Sequence, residues 1–261
     1  MIGVFDSGIG GLTVVKALLD QLPGYDIIYF GDTARTPYGS KSPDTVIRYA
    51  LENTEFLLNK GAELIVVACN TASSVAFKSI AAKYDVPVFE VITSAVELSI
   101  KNSRSFRIGI IGTRATINSG AYEKKIREIK PAARIYSKAC PLMVPLVEEG
   151  WFKKPETVMI VKKYLHSLKV RQIDTLVLGC THYPLLKNII QRKIGKKVFI
   201  ADSSLSVARE IKKFFSSHPE LEQKISKKGV TKFFVSDITP QFEKTARMIL
   251  KKDIQLIHVK L

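Results

Sequence analysis

Strand-length apolar runs with almost no polar alternation punctuate the chain, and helix-patterned stretches separate them. The runs fit strands at Ile2–Phe5, Ile27–Gly31, Leu64–Cys69, Val88–Glu90, Ile108–Gly112, Arg134–Cys140, Thr175–Gly179, Val198–Asp202 and Lys232–Ser236. A strand with one face in water would alternate apolar and polar residues; runs without alternation belong to sheets covered on both faces. Helical patterns at Leu12–Gln21, Pro43–Lys60, Ser73–Tyr84, Ser119–Ile129, Pro155–Leu168, Pro184–Lys193 and Ser204–Phe215 supply the cover. The expected fold class is therefore α/β, with doubly wound, mainly parallel sheets.

Two stretches recur in the same order. Ile2–Gly8 resembles Ile108–Thr113, with Gly3 and Gly109 offset by 106, and Glu63–Thr71 resembles Asp174–His182, with Cys69 and Cys180 offset by 111. This implies two similar domains, one made of residues 1–92 plus 206–261 and the other of residues 93–205. The closing segment, with a further strand and helix between Phe233 and Leu250, returns to complete the first. Halves that face each other place one cysteine on each wall of a shared pocket.

Composition excludes several classes. An apolar share of 46% supports a proper core, so global disorder is not expected. Three cysteines without a CxxC pair argue against a disulfide framework or a structural zinc site, and we expect no metal. No run approaches membrane-span length, and Met1–Phe5 enters a strand without a basic leader, so a cytoplasmic protein is expected. The net charge of +16 is uneven: residues 1–100 hold 7 Lys/Arg and 11 Asp/Glu, residues 101–261 hold 33 and 13. Aromatics do not interleave with the basic runs as a single-strand binder needs, so solvated helix faces explain the charge better than a nucleic-acid partner.

Three motifs carry chemistry. Asp6-Ser7-Gly8-Ile9-Gly10-Gly11 follows the first strand and opens a helix. Its backbone amides suit a small carboxylate, whereas the leading acid opposes a nucleotide phosphate. Cys69-Asn70-Thr71 and Cys180-Thr181-His182 each end an apolar strand just before a helix. Ligands of open α/β sheets bind at such strand ends, and a helix N-terminus draws a thiol pKa down from its usual value of about 8.5. One cysteine in this setting is most often core; two in matching settings point to paired acid and base on opposite sides of one small substrate. Asp6 and His182 are the natural groups to tune them. Gly31-Asp32 and Pro37-Tyr38-Gly39 flank a loop that can close over a substrate. Glu148-Glu149 fits a pocket residue and a solvated helix end equally well. Cys140 reads as structural, and His166, His218 and His258 receive no role.

These motifs, with Tyr29-Phe30-Gly31-Asp32, Val144-Pro145-Leu146-Val147-Glu148 and Gly179-Cys180-Thr181-His182-Tyr183-Pro184, resemble the glutamate racemases of the aspartate/glutamate racemase superfamily, in order from the N-terminus to about residue 205. The resemblance implies a two-domain fold with the site at the interface and cofactor-free interconversion of L- and D-glutamate, which supplies D-glutamate to peptidoglycan. It implies Cys69 and Cys180 as the two bases, Asp6 assisting Cys69, and His182 with Glu148 assisting Cys180. Asp6, Ser7, Tyr38, Gly39, Asn70, Thr71, Thr181 and His182 would hold the substrate. A homodimer is the expected assembly. The chemistry fits the residues: inversion at Cα needs one base on each face, and no pyridoxal-type lysine is visible. A thiol redox or acyl-transfer enzyme is the competing class; it predicts a Cys69–Cys180 disulfide or a covalent intermediate.

Overall fold

The computed structural model describes residues 1–260. The chain runs β1 (Ile2–Asp6), α1 (Leu12–Gln21), β2 (Ile27–Gly31), α2 (Pro43–Asn59), β3 (Leu64–Val67), α3 (Asn70–Lys83), β4 (Val88–Glu90) and α4 (Val91–Asn102). It continues through β5 (Arg107–Gly112), α5 (Arg114–Asn118), α6 (Ala121–Ile129), β6 (Arg134–Ala139), α7 (Met143–Glu148), α8 (Pro155–Val170), β7 (Thr175–Gly179), α9 (Lys187–Ile194), β8 (Phe199–Asp202) and α10 (Ser203–Ser217). It closes with α11 (Pro219–Glu222), β9 (Thr231–Val235), α12 (Pro240–Leu250) and β10 (Leu256–His258).

The strands form two parallel sheets, in the orders β10-β9-β2-β1-β3-β4 and β6-β5-β7-β8. The repeat seen in the sequence is a repeat of topology. β1, β2, β3 and β4 occupy the places that β5, β6, β7 and β8 occupy in the second sheet. β9 and β10 extend the first sheet beyond β2, so the end of the chain does return to it. Both faces of each sheet are covered, as the unalternating runs require. On the first sheet, Ile2 and Val4 pack with α1, α10 and α12, while Phe5, Ile28 and Phe30 pack with α2 and α3. On the second, Ile111 and Leu178 pack with α7, α8 and α9, while Ile108, Ile110 and Val177 pack with α4 and α6.

Several local readings differ from the structure. The run from Leu64 stops as a strand at Val67, and α3 begins at Asn70, three residues before the expected helix start. Helix α4 was not expected, because Val91, Ile92 and Thr93 are β-branched residues that favour a strand. Glu90 makes the break: its carboxylate accepts the N–H groups of Ile92 at 2.5 Å and Thr93 at 2.9 Å, which caps a helix. β10 was missed because a three-residue, half-exposed edge strand leaves little apolar signal.

Candidate active site

In each sheet the chain leaves the central strand in one direction and returns on its other side. β2 and β3 thus flank β1, and β6 and β7 flank β5. A crevice opens where the winding reverses, at the carboxyl ends of the strands. Ser7 follows β1 and Cys69 follows β3 in the first sheet; Thr113 follows β5 and Cys180 follows β7 in the second. These residues meet in one cavity, which Tyr38, Gly39, Asn70, Thr71, Thr181 and His182 also line. Its accessible volume of about 20 Å³ leaves room for little more than a water molecule. Cys69 and Cys180 are each 5% exposed, so neither sulfur is open to bulk solvent.

On the Cys69 side, the thiol lies 3.9 Å from the Ser7 hydroxyl. Its pKa is not drawn down by the start of α3. Burial first, then the charge of Asp6, pushes it up to about 12. Asp6 itself is fully buried, and burial raises its pKa despite His182 and two backbone amides. Those amides belong to Gly8 and Gly11, which donate to Asp6 Oδ2 at 3.1 and 2.9 Å. The glycine loop was expected to offer amides to a substrate carboxylate; it offers these two to the protein's own carboxylate, the nearest anion its turn encloses. Thr181 of the opposite half donates to Asp6 Oδ1 at 3.3 Å. Asp6 makes no hydrogen bond to Cys69 among the described residues and stands behind the cavity lining.

On the Cys180 side, Sγ lies 3.7 Å from His182 Nδ1, and His182 Nε2 lies 3.2 Å from Glu148 Oε1. Burial works to lower the His182 pKa, but the hydrogen bonds to Cys180 and Glu148 outweigh it and raise it well above the usual value. An imidazolium in this position stabilises negative charge on the Cys180 sulfur. The His182 side chain caps no helix, and α9 starts only at Lys187. Glu148 ends α7, and of the two neighbouring glutamates it is the one that reaches His182. Glu149 lines an adjoining cavity of about 190 Å³ together with Glu148, Gly8 and Thr36. Gly10 permits the close approach of the halves: a Cβ there would fall 2.6 Å from His182 Nδ1.

The remaining walls are held from behind. The Tyr38 hydroxyl donates to Asp32, and Asn53 Nδ2 donates to the Tyr38 oxygen at 3.0 Å. Asp32 also accepts Arg35 Nε at 2.7 Å and Ser236 Oγ at 3.1 Å. Thr71 Oγ1 meets Thr113 Oγ1 at 3.0 Å and Thr116 Oγ1 at 3.2 Å. Thr113 escaped the sequence reading, although the repeat aligns it with Ser7; Thr116, one turn on, carries no motif. Cys140 is buried outside the cavity lining, and all three cysteines are free. Among the described residues, no group of three or more His, Cys, Asp or Glu side chains could hold a metal, and no helix is long and apolar enough to cross a membrane.

Comparison with known proteins follows the same lines. The family model for Asp/Glu/Hydantoin racemase matches residues 2–209. A glutamate racemase of Persephonella marina is 47% identical over 98% of this chain and 95% of its own length. A crystal structure of a glutamate racemase isoform from Bacillus anthracis superposes with a TM-score of 0.94 at 35% identity, covering 100% of this chain and 97% of that one. A glutamate racemase from Francisella tularensis, solved in complex with D-glutamate, gives 0.90 at 38% identity over 99% and 97%.

Proposed function

Since the chain belongs to the Asp/Glu/Hydantoin racemase family and is an amino-acid racemase, we propose that its substrate is glutamate, inverted at Cα by Cys69 and Cys180 without a cofactor. One observation carries the reading: equivalent strands of two sheets deliver the two sulfurs to the walls of one cavity. Removing and returning a proton on the same face would restore the starting hand; bases on both faces invert it.

The two sulfurs start in unequal surroundings. Cys69, with its pKa pushed up to about 12, waits as a thiol. Cys180 lies beside the His182 imidazolium, which Glu148 holds in place, and takes the part of the base in this direction. Cys180 takes the α-proton from one face while Cys69 gives its own to the other. The states are then exchanged, and the reverse reaction starts from there. Asp6 acts on Cys69 through charge, without touching it. Ser7, Tyr38, Gly39, Asn70, Thr71 and Thr181 face the amino and carboxylate groups, and fixed donors there stabilise the charge that develops on the carboxylate. A cavity this small excludes bulk water during the proton transfers, so the halves part to admit glutamate.

On the same reading the product feeds peptidoglycan synthesis in the cytoplasm, and the working unit is a homodimer. The domains divide at 92/93 and 205/206, within the two helices through which the chain passes between sheets. The test is racemisation of L-glutamate by cofactor-stripped protein in deuterated water. D-glutamate carrying deuterium at Cα is expected. A requirement for pyridoxal phosphate or metal, or inversion without exchange, refutes the mechanism.

A further inference from the structure

Asn70 keeps one polar atom in reserve. Its Nδ2 is buried and finds no hydrogen-bond partner among the described residues, while the residue lines the cavity between the sulfurs. Its Oδ1 accepts the Tyr122 hydroxyl at 2.6 Å. Tyr122 lies on α6, in the cover of the second sheet, so this buried bond links one half of the molecule to the other. Its ring packs against the strand end that leads into Cys180: a Cβ on Gly179 would lie 3.1 Å from Tyr122 Cε2.

A side-chain amide has two orientations of nearly the same shape, and its partner decides between them. Tyr122 keeps its proton, since burial, then the charges of Glu90 and Cys180, hold its pKa well above the usual value. That proton has one acceptor among the described residues, Asn70 Oδ1. A flipped amide would leave the buried phenol proton unaccepted and put an acceptor where the unpartnered donor now stands.

We propose that Tyr122 is a positioning residue, which locks the Asn70 amide so that its NH₂ group faces the cavity as a donor to an anionic substrate. This rests on the reading that the substrate is glutamate, whose carboxylates only accept. The wall thus owes its polarity to a hydroxyl that does not touch the substrate.

The experiment is a double-mutant cycle in racemisation kinetics. Tyr122→Phe keeps the ring and frees the amide to flip; KM for glutamate should rise roughly tenfold, the equivalent of one hydrogen bond, with little change in kcat. In an Asn70→Ala background, adding Tyr122→Phe should alter KM by less than about twofold, because nothing is left to orient. Multiplying effects would assign Tyr122 to packing alone and overturn the proposal. Should Tyr122→Phe fail to fold, Asn70→Asp decides, since it preserves the Tyr122 bond and sets an oxygen on the cavity. Its KM should then rise on the order of a hundredfold, and an unchanged KM overturns the proposal. Parent protein that leaves glutamate untouched would sink the functional reading instead, before any variant is compared.

Discussion

Glu210 on α10 stands where the two connections between the sheets meet, since α4 leads from β4 to β5, α10 leads back from β8, and the two helices pack together. Its Oε2 is buried with no hydrogen-bond partner among the described residues. Burial first, then the charges of Glu90 and Glu97, pushes its pKa from 4.5 up to about 7. Read at full value, ionising it costs about 3.4 kcal/mol more in the folded protein than in the unfolded chain. Glu210 is only half-buried, and solvent screening reduces that to ~1–2 kcal/mol. The folded protein holds this proton where the unfolded chain has lost it, so stability falls as pH rises through 4.5 and levels off past about 7. Glu210→Gln keeps the shape and removes the charge. At about pH 8 the variant should melt higher by roughly 2–6 °C; at about pH 4 the two proteins should melt together. Circular-dichroism melts across that range provide the test. Equal melting at the higher pH, or a gain that persists undiminished at the lower one, would refute the electrostatic account.

Cys69→Ala and Cys180→Ala each remove one of the proposed bases, and racemisation should fall by about 10³-fold or more with melting unchanged; near-parent turnover in either variant would discard the pairing. Glu148→Gln weakens the hold on the His182 proton, so the alkaline limb of the kcat/KM profile should move to lower pH. A limb that stays put would separate Glu148 from the titration. In Gly39→Ala the new Cβ would lie 2.5 Å from Thr113 Cβ, across the contact between the halves. We expect a loss of ~1–3 kcal/mol in stability together with a higher KM, and an unperturbed protein would show that this contact yields freely.

Much of the fold is legible because burial on both faces strips polar residues from a strand. β2 and β7 lie where the apolar runs at Ile27–Gly31 and Thr175–Gly179 begin and end. The placement of Cys69 and Cys180 on one cavity was legible for a related reason: the residue after a buried parallel strand emerges at the sheet's carboxyl end, and the internal repeat pairs two such residues. Other features have no local signature. The Tyr122–Asn70 bond spans 52 positions, and the Thr181–Asp6 bond spans 175. Nothing in the spacing of either pair announces a contact that exists only once the halves face each other. The Cys69 pKa misled for the same reason. A helix start is visible in sequence, whereas full burial beside Asp6 is a property of the assembled cleft and outweighs it.

The first sheet is finished by the last strands made. β9 pairs with β2 from Ile27↔Thr231 to Gly31↔Val235, and buries Phe233, Phe234 and Val235 against it. A nascent chain on the ribosome therefore carries β2 as a bare apolar edge while the entire second sheet is translated. Such an edge recruits other chains as readily as its own. A premature stop after β8 would spare Cys69 and Cys180 and still leave the first sheet unfinished.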